Sequence, residues 1–339
     1  MGRKQGPRKG SMQVWPRVRA ERFLPGVNWK PILEVSAKKS GEKPNLLGFI
    51  GYKAGMASAF VKDNTPDSMT KGKKVIVPVT VIECPTAKIL SIRFYKNGIV
   101  SREILNDNLD KELKKVIRLP SSAPSTSSAN SSNKKSTKEM LEKININDFN
   151  DVRVVIYSQA KKTELKKSPD ILEIAVSGNS IADKLNFIKE NLAKEISAAD
   201  VFSKGLVDFR GVTKGKGFQG VIRRFGVHYR SHKAEKGQKR VGSIGGWHPI
   251  GVRFTVPRPG QMGLHTRICY NNLLIAAKKY TSEDPVVKRL FDNFGFVKND
   301  YLIVQGSVQG PCKRQVIITP AFRISKRQQK RQYELVELR

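Results

Sequence analysis

The chain has 339 residues, 39% of them hydrophobic, and carries 63 lysines and arginines against 29 acids, a formal net charge of +34. That length and apolar content allow one large domain or two smaller ones with buried cores, and the charge makes a polyanion the natural companion. Nucleic acid leads, since each neutralised phosphate releases a condensed counterion; a membrane surface is the rival, but no stretch approaches the roughly 18 apolar residues of a spanning helix.

Residues 1–44 read as a basic tail, with 11 lysines and arginines against 3 acids. It lacks the apolar run of a secretory signal, so the chain is expected to stay inside the cell, in the cytoplasm. Residues 45–118 are assigned to the first part of a β-domain. Leu46–Met56, Val75–Cys84 and Ala87–Tyr95 are β-branched or aromatic-rich and bounded by turn residues. Residues 119–150 form a linker with a short helix. The Ser/Asn-rich stretch 121–138 within it has almost no apolar side chain to offset its ordering entropy.

Residues 151–203 are an α/β excursion. It opens with a strand at Val152–Gln159, and Ser180 caps a helix carrying Ile181, Leu185, Ile188, Leu192 and Ile196 on one face and Lys184, Lys189, Glu190 and Lys194 on the other. Residues 204–267 begin with a strand at Gly205–Gly215 and continue as a Gly-rich extension. This span has 14 lysines and arginines against Asp208 and Glu235, all four histidines and 13 of the 27 glycines. Residues 268–325 complete the β-domain with strands at Asp300–Gly310 and Arg314–Phe322, and 326–339 are a C-terminal tail. The fold class is mainly β with an α excursion (α+β), and many short strands with turn punctuation point to a small antiparallel barrel.

The tail and the extension together hold 20 of the 34 net charges and all three tryptophans, Trp15, Trp29 and Trp247. Lysine and arginine at that density cannot be buried without anions. Phe218, Phe225, Tyr229, Trp247 and Phe254 are interleaved with them and would be idle in a solvated coil. In contact with RNA such rings stack on splayed bases.

Enzymatic motifs find no support. Gly215–Gly220 matches G-x-G-x-x-G, but a dinucleotide site needs a following helix and an acid about twenty positions on; the window there reads Gln238-Lys239-Arg240. His228 and His232 have helical metal spacing but no intervening glutamate, and they lie among repelling cations. Cys84, Cys269 and Cys312 are scattered, fitting neither a disulfide framework nor a zinc pattern. No cofactor or metal is expected. An architectural DNA-binding protein would need a groove-entering helix or ribbon, and no basic segment reads as one. An RNA-modifying enzyme would need a cofactor site.

Seven stretches in order carry a family resemblance: Pro7–Ser11, Gly48–Met56, Val77–Pro85, Gly211–Gly220, Gly242–Pro249, Arg253–Arg267 and Gly306–Arg314. With them the chain resembles the third universal large-subunit ribosomal protein family in its archaeal form, over roughly residues 6–325. The resemblance implies a translation-factor-like β-barrel with long basic RNA-binding extensions, no enzymatic activity, a part in early subunit assembly, and Trp247 at an extension tip near the peptidyl-transferase centre. Implied partners are large-subunit ribosomal RNA, neighbouring large-subunit proteins and, indirectly, aminoacyl-tRNA and elongation factors; no membrane is implied. Two positions depart from the wider family. Glu235 stands where eukaryotic members have a histidine, and Gly246 with Trp247 where bacterial members have a glutamine, so modifications known there do not carry over.

Charge and motif match together select the residues expected to meet RNA. In the tail these are Lys4, Arg8, Lys9, Arg17, Arg19 and Arg22. In the extension they are Lys214, Lys216, Arg223, Arg224, Arg230, Lys233, Lys236, Lys239, Arg240, Trp247, His248, Arg253, Arg258, Gln261, His265 and Arg267. Lys313 and Arg314 complete the set.

Overall fold

A computed structural model describes residues 11–38, 43–118, 137–178, 180–248 and 250–339. Lys4, Arg8 and Lys9, and most of the Ser/Asn-rich stretch, lie outside the described residues. Among those described are thirteen strands: β1 (Phe49–Asp63), β2 (Lys74–Glu83), β3 (Ala87–Lys96), β4 (Ile99–Leu105), β5 (Asp151–Ser158), β6 (Ile171–Ala175), β7 (Gly205–Val212), β8 (Gly215–Gln219), β9 (Gly260–Gly263), β10 (Thr266–Lys278), β11 (Tyr301–Gln305), β12 (Gln315–Pro320) and β13 (Tyr333–Leu338). Six short α-helices accompany them: α1 (Lys30–Ala37), α2 (Thr137–Glu142), α3 (Ile181–Asn191), α4 (Ala198–Val201), α5 (Val221–Phe225) and α6 (Lys326–Gln329). The class is α+β with strands dominant.

The main sheet runs β12-β7-β10-β11-β2-β1-β13, and β1 also pairs with β12, so six strands close into a ring and β13 is added outside it. Closure removes the exposed edges that an open sheet would leave. It depends on β1, whose first residues pair antiparallel with β12 (Phe49 opposite Ile318) and whose last pair with β13 (Val61 opposite Leu335). Register shifts at Lys53/Gly55 and Phe60/Val61 bend this strand between its neighbours. Within β1, Gly51 permits the tightest approach, since a Cβ there would lie 2.6 Å from Ile82 Cγ2. Both faces of these strands are packed, with Phe49, Ile50, Val79, Val81, Phe209, Leu302, Val304 and Ile317 fully buried.

The second sheet, β4-β3-β5-β6, is antiparallel. Residues 45–118 were assigned to the first part of the barrel; within them β3 instead pairs with β4 and β5 in this separate sheet. Ala87 exchanges backbone hydrogen bonds with Ile196 (3.0 and 2.9 Å), which holds the start of β3 in this layer. Helix α3 begins as anticipated, with the Ser180 hydroxyl accepting from the Asp183 amide at 3.1 Å. Leu185 and Ile188 are buried, but the helix ends at Asn191, and Ile196 reaches its buried place through the Ala87 bridge. Lys184 is not on a solvated face. It is buried, and its ammonium meets Asp151 at 2.8 Å.

Two further expectations are corrected. Trp29 is 2% exposed and joins the main core beside Ile32 of α1, whose first turn contains Pro31. It is not a tail aromatic awaiting a partner. The segment 326–339 is not a plain tail, because it holds α6 and β13, with Leu338 buried opposite Ala59.

The chain divides into two compact units. One comprises Leu24–Gly211 with Ile268–Arg339 and contains both sheets just described. The other comprises residues 11–23 with Val212–Arg267 and contains the β8–β9 ribbon and α5. No described helix is long and apolar enough to cross a membrane.

Candidate nucleic-acid interface

The smaller unit begins as a two-stranded ribbon. Strands β8 and β9 pair antiparallel, Gly215 opposite Gly263 and Phe218 opposite Gln261, with an irregularity between Gly215 and Phe218. At Gly263 φ is +72°, and a Cβ would collide with the Lys214 carbonyl oxygen, so glycine is required for the ribbon to close. A helix of five residues, α5, does follow the G-x-G-x-x-G stretch. Gly215 and Gly217 nevertheless belong to the ribbon, with Gly220 as the N-cap of α5, and the acid that a ribose would need is absent.

The tail is laced onto this ribbon. The Ala20 amide donates to the Leu264 carbonyl at 2.7 Å, and His265 Nδ1 bonds the Val18 carbonyl at 2.8 Å. His265 is buried, and burial holds its imidazole below the ordinary value, helped by the charges of Arg267, Arg17 and Arg224 and opposed by the bond to Val18. Arg224 donates to three carbonyls, those of Gln261, Arg258 and Arg17, and Arg17 Nη1 donates to the Arg224 carbonyl at 3.0 Å. Both guanidinium groups lie over Phe225, at 4.4 Å (Arg17) and 5.1 Å (Arg224) from the ring centroid. Phe225 is therefore a buried centre of this unit and not one of its idle rings.

The expected residues thus separate by role. Arg17, Arg224 and His265 bind the tail to the ribbon, while Gln261, whose amide donates to the Met262 and Gly263 carbonyls, braces the ribbon itself; each had been expected to meet RNA directly. Arg230 braces the loop between β8 and β9, donating to the Val241 carbonyl at 2.9 Å, and half-buried Arg267 donates to the Thr266 carbonyl at 2.8 Å. Arg19, Arg22, Lys214, Lys216, Arg223, Lys233, Lys236, Lys239, Arg240, His248, Arg253 and Arg258 are exposed. Trp247 is 85% exposed, in line with the reading that it serves no core. Lys313 and Arg314 belong to the larger unit, where the Lys313 amide donates to the Lys53 carbonyl at 2.8 Å; Lys313 is exposed and Arg314 half-buried.

The two units differ sharply in charge balance. Residues 11–23 and 212–267 contain 15 lysines and arginines but only two acids, Glu21 and Glu235, both exposed. In the larger unit the cations find carboxylates: Arg93 meets Glu103 and Glu173, Arg153 meets Asp151 and Glu173, and Lys278 meets Asp284. Among the described residues, no group of three or more His, Cys, Asp or Glu could hold a metal ion. Concentrated cations without matching carboxylates, set beside exposed rings and close-approach glycines, can neutralise phosphates and stack on bases; they offer no acid–base pair for catalysis.

Comparison with known proteins decides the family. The family model for ribosomal protein L3 matches residues 1–339. The chain belongs to the ribosomal protein L3 family. It is 40% identical over 326 residues to the large ribosomal subunit protein uL3 of Methanocaldococcus jannaschii, covering 94% of this chain and 91% of the relative. To the uL3 protein of Methanobrevibacter smithii it is 38% identical over 337 residues, with 95% and 94% covered. The L3 family is a structural, non-enzymatic component of the large subunit of the cytoplasmic ribosome, and the archaeal relatives agree with the form of the resemblance. Sequence reasoning missed how the tail and extension fit together. The interleaving of Trp15, Phe225 and Phe254 with arginines was the available signal, but it does not reveal which rings face each other.

Proposed function

We propose that this L3-family chain binds large-subunit ribosomal RNA through its smaller unit, supports early subunit assembly, and presents Trp247 at the tip of a basic loop directed towards the peptidyl-transferase centre. The carrying observation is the imbalance of 15 cations against two acids in residues 11–23 and 212–267, with Phe218, Tyr229, Trp247 and Phe254 exposed among them. Exposed cations neutralise phosphates where RNA helices would otherwise repel one another. Arg17, Arg224 and His265 set the path of the tail instead.

The closed ring of six strands supports a barrel of the translation-factor type as the anchoring body. The tail, the barrel, the excursion around the second sheet and the internal extension then act as successive parts of one scaffold. Aminoacyl-tRNA and elongation factors feel the protein indirectly, through the RNA it holds, and the chemistry stays with that RNA. The test is crosslinking in cells followed by recovery of the attached nucleic acid. Large-subunit ribosomal RNA joined to peptides from residues 11–23 and 212–267 is expected. Recovery of DNA, or of RNA joined only to peptides of the larger unit, would overturn the reading.

A further inference from the structure

The smaller unit encloses a cleft of about 600 Å³, a size typical of small-molecule sites, which run from roughly 300 to 1,000 Å³. Three rings wall it, those of Trp15, Phe225 and Phe254. Four arginines rim it, Arg17, Arg224, Arg253 and Arg258, and no carboxylate lines it.

The rings are not equivalent. Phe225 is buried beneath the guanidinium groups of Arg17 and Arg224. Trp15 is half-buried, tilted against Phe225 at 6.0 Å and set edge-on to Phe254 at 5.7 Å. Phe254 is 79% exposed, so a large apolar face is presented to the solvent side of the cleft. The arginines divide in the same way. Arg17 and Arg224 donate to backbone carbonyls of the tail and ribbon. The exposed side chains of Arg253 and Arg258 have no hydrogen-bond or ion-pair partner among the described residues.

A planar face next to two unengaged guanidinium groups matches a ligand with a flat, neutral, stackable ring and anionic groups beside it. A phosphate alone would leave Phe254 in water, and an apolar side chain would leave the arginines without a partner. We propose that this cleft seats one unstacked nucleobase of single-stranded RNA, stacked on Phe254 and bordered by Trp15, with the flanking phosphates held by Arg253 and Arg258. Stacking on an aromatic side chain is sequence-tolerant, while arginine supplies the charge. The proposal rests on the RNA-binding reading above and adds a defined base seat to it.

The experiment uses the full chain and a single-stranded uridine octamer carrying one central 2-aminopurine, together with an octamer abasic at that position. Binding should quench the 2-aminopurine, and the abasic octamer should bind about tenfold more weakly or worse. Phe254→Ala should abolish the quench with a similar loss of affinity, and Phe254→Tyr should retain both. Because Phe254 is exposed, its truncation leaves the fold intact, which circular dichroism checks. If the octamers bind with equal, salt-sensitive affinity and without quenching, phosphate binding stands but the base seat is overturned, and the cleft is left to a segment of a neighbouring protein. A quench unchanged by Phe254→Ala overturns the seat as well. If neither octamer nor ribosomal RNA binds, the RNA-binding reading fails, and the seat fails with it.

Discussion

Arg17 and Arg224, 207 positions apart in sequence, exchange hydrogen bonds: Arg17 Nη1 donates to the Arg224 carbonyl at 3.0 Å, and Arg224 Nη2 donates to the Arg17 carbonyl at 3.5 Å. Two like charges meet here without a carboxylate, and burial together with Arg17 lowers the affinity of Arg224 for its proton. Backbone carbonyls and the face of Phe225 offset the repulsion. Arg224→Ala is expected to loosen residues 11–23 from the ribbon, at a cost of about 2 kcal/mol for the several bonds lost. Arg224→Lys should not rescue it, because an ammonium cannot span three carbonyls as the planar fork does. Hydrogen exchange at Ala20, whose amide donates to Leu264, checks both variants.

Gly263→Ala should disrupt the β8–β9 ribbon. The residue sits at φ +72°, and the new methyl would meet the Lys214 carbonyl and the Lys216 amide, both backbone atoms that cannot swing aside. A loss of about 2–3 kcal/mol in this unit is expected from strain and overpacking. Loss of exchange protection at Leu264, whose amide donates to Lys214, with β1–β2 protection intact, would be the signature.

The pH response of the smaller unit follows from His265. Burial, aided by Arg267, Arg17 and Arg224, keeps the imidazole below its ordinary value in the fold. Between that lowered value and the unfolded value near 6.5 the unfolded chain binds more protons, so stability rises with pH. The contribution is complete above about pH 6.5 and is lost as pH falls towards the folded value. An NMR titration of His265 in the free protein should find a midpoint below 6.5, together with parallel loosening of Ala20.

Trp247→Ala should change the stability of the free chain by less than about 0.5 kcal/mol, since the side chain is 85% exposed. Subunits assembled with this variant should nevertheless show altered elongation kinetics or altered sensitivity to drugs acting at the peptidyl-transferase centre. Unchanged kinetics and unchanged sensitivity would remove the role given to the tip.

Most strands with buried faces were legible in the sequence, although β6 and β10 were not assigned. Val75–Cys84 matches β2 to within one residue at each end and Arg314–Phe322 spans β12, because β-branched residues between turn signals need the interior of a sheet. Strand β4 escaped because it is an edge, with Ile99, Val100 and Leu105 exposed. Strand β13 escaped because Tyr333–Leu338 follows a run of basic and amide residues that reads as a tail, and its place is fixed only by pairing with distant β1. Lys184 was assigned to solvent by helical spacing alone, which cannot foresee that Asp151, 33 positions earlier, would receive it. Trp29 was counted with the charged tail because it lies within that window, although the apolar α1 beside it marks the start of packed structure. In the smaller unit the excess of cations was plain from sequence. The division between arginines that bind carbonyls and arginines left open was not, since it depends on tail and ribbon meeting in space.

The salt dependence of binding to large-subunit ribosomal RNA tests the central claim most directly. If the exposed cations of residues 11–23 and 212–267 neutralise about ten phosphates, log affinity should fall against log salt with a slope near −9. Replacing Lys214, Lys216 and Arg223 together by glutamine should make that slope about 3 shallower without changing the fold. A slope near zero, or one that these three replacements leave unaltered, would contradict the account.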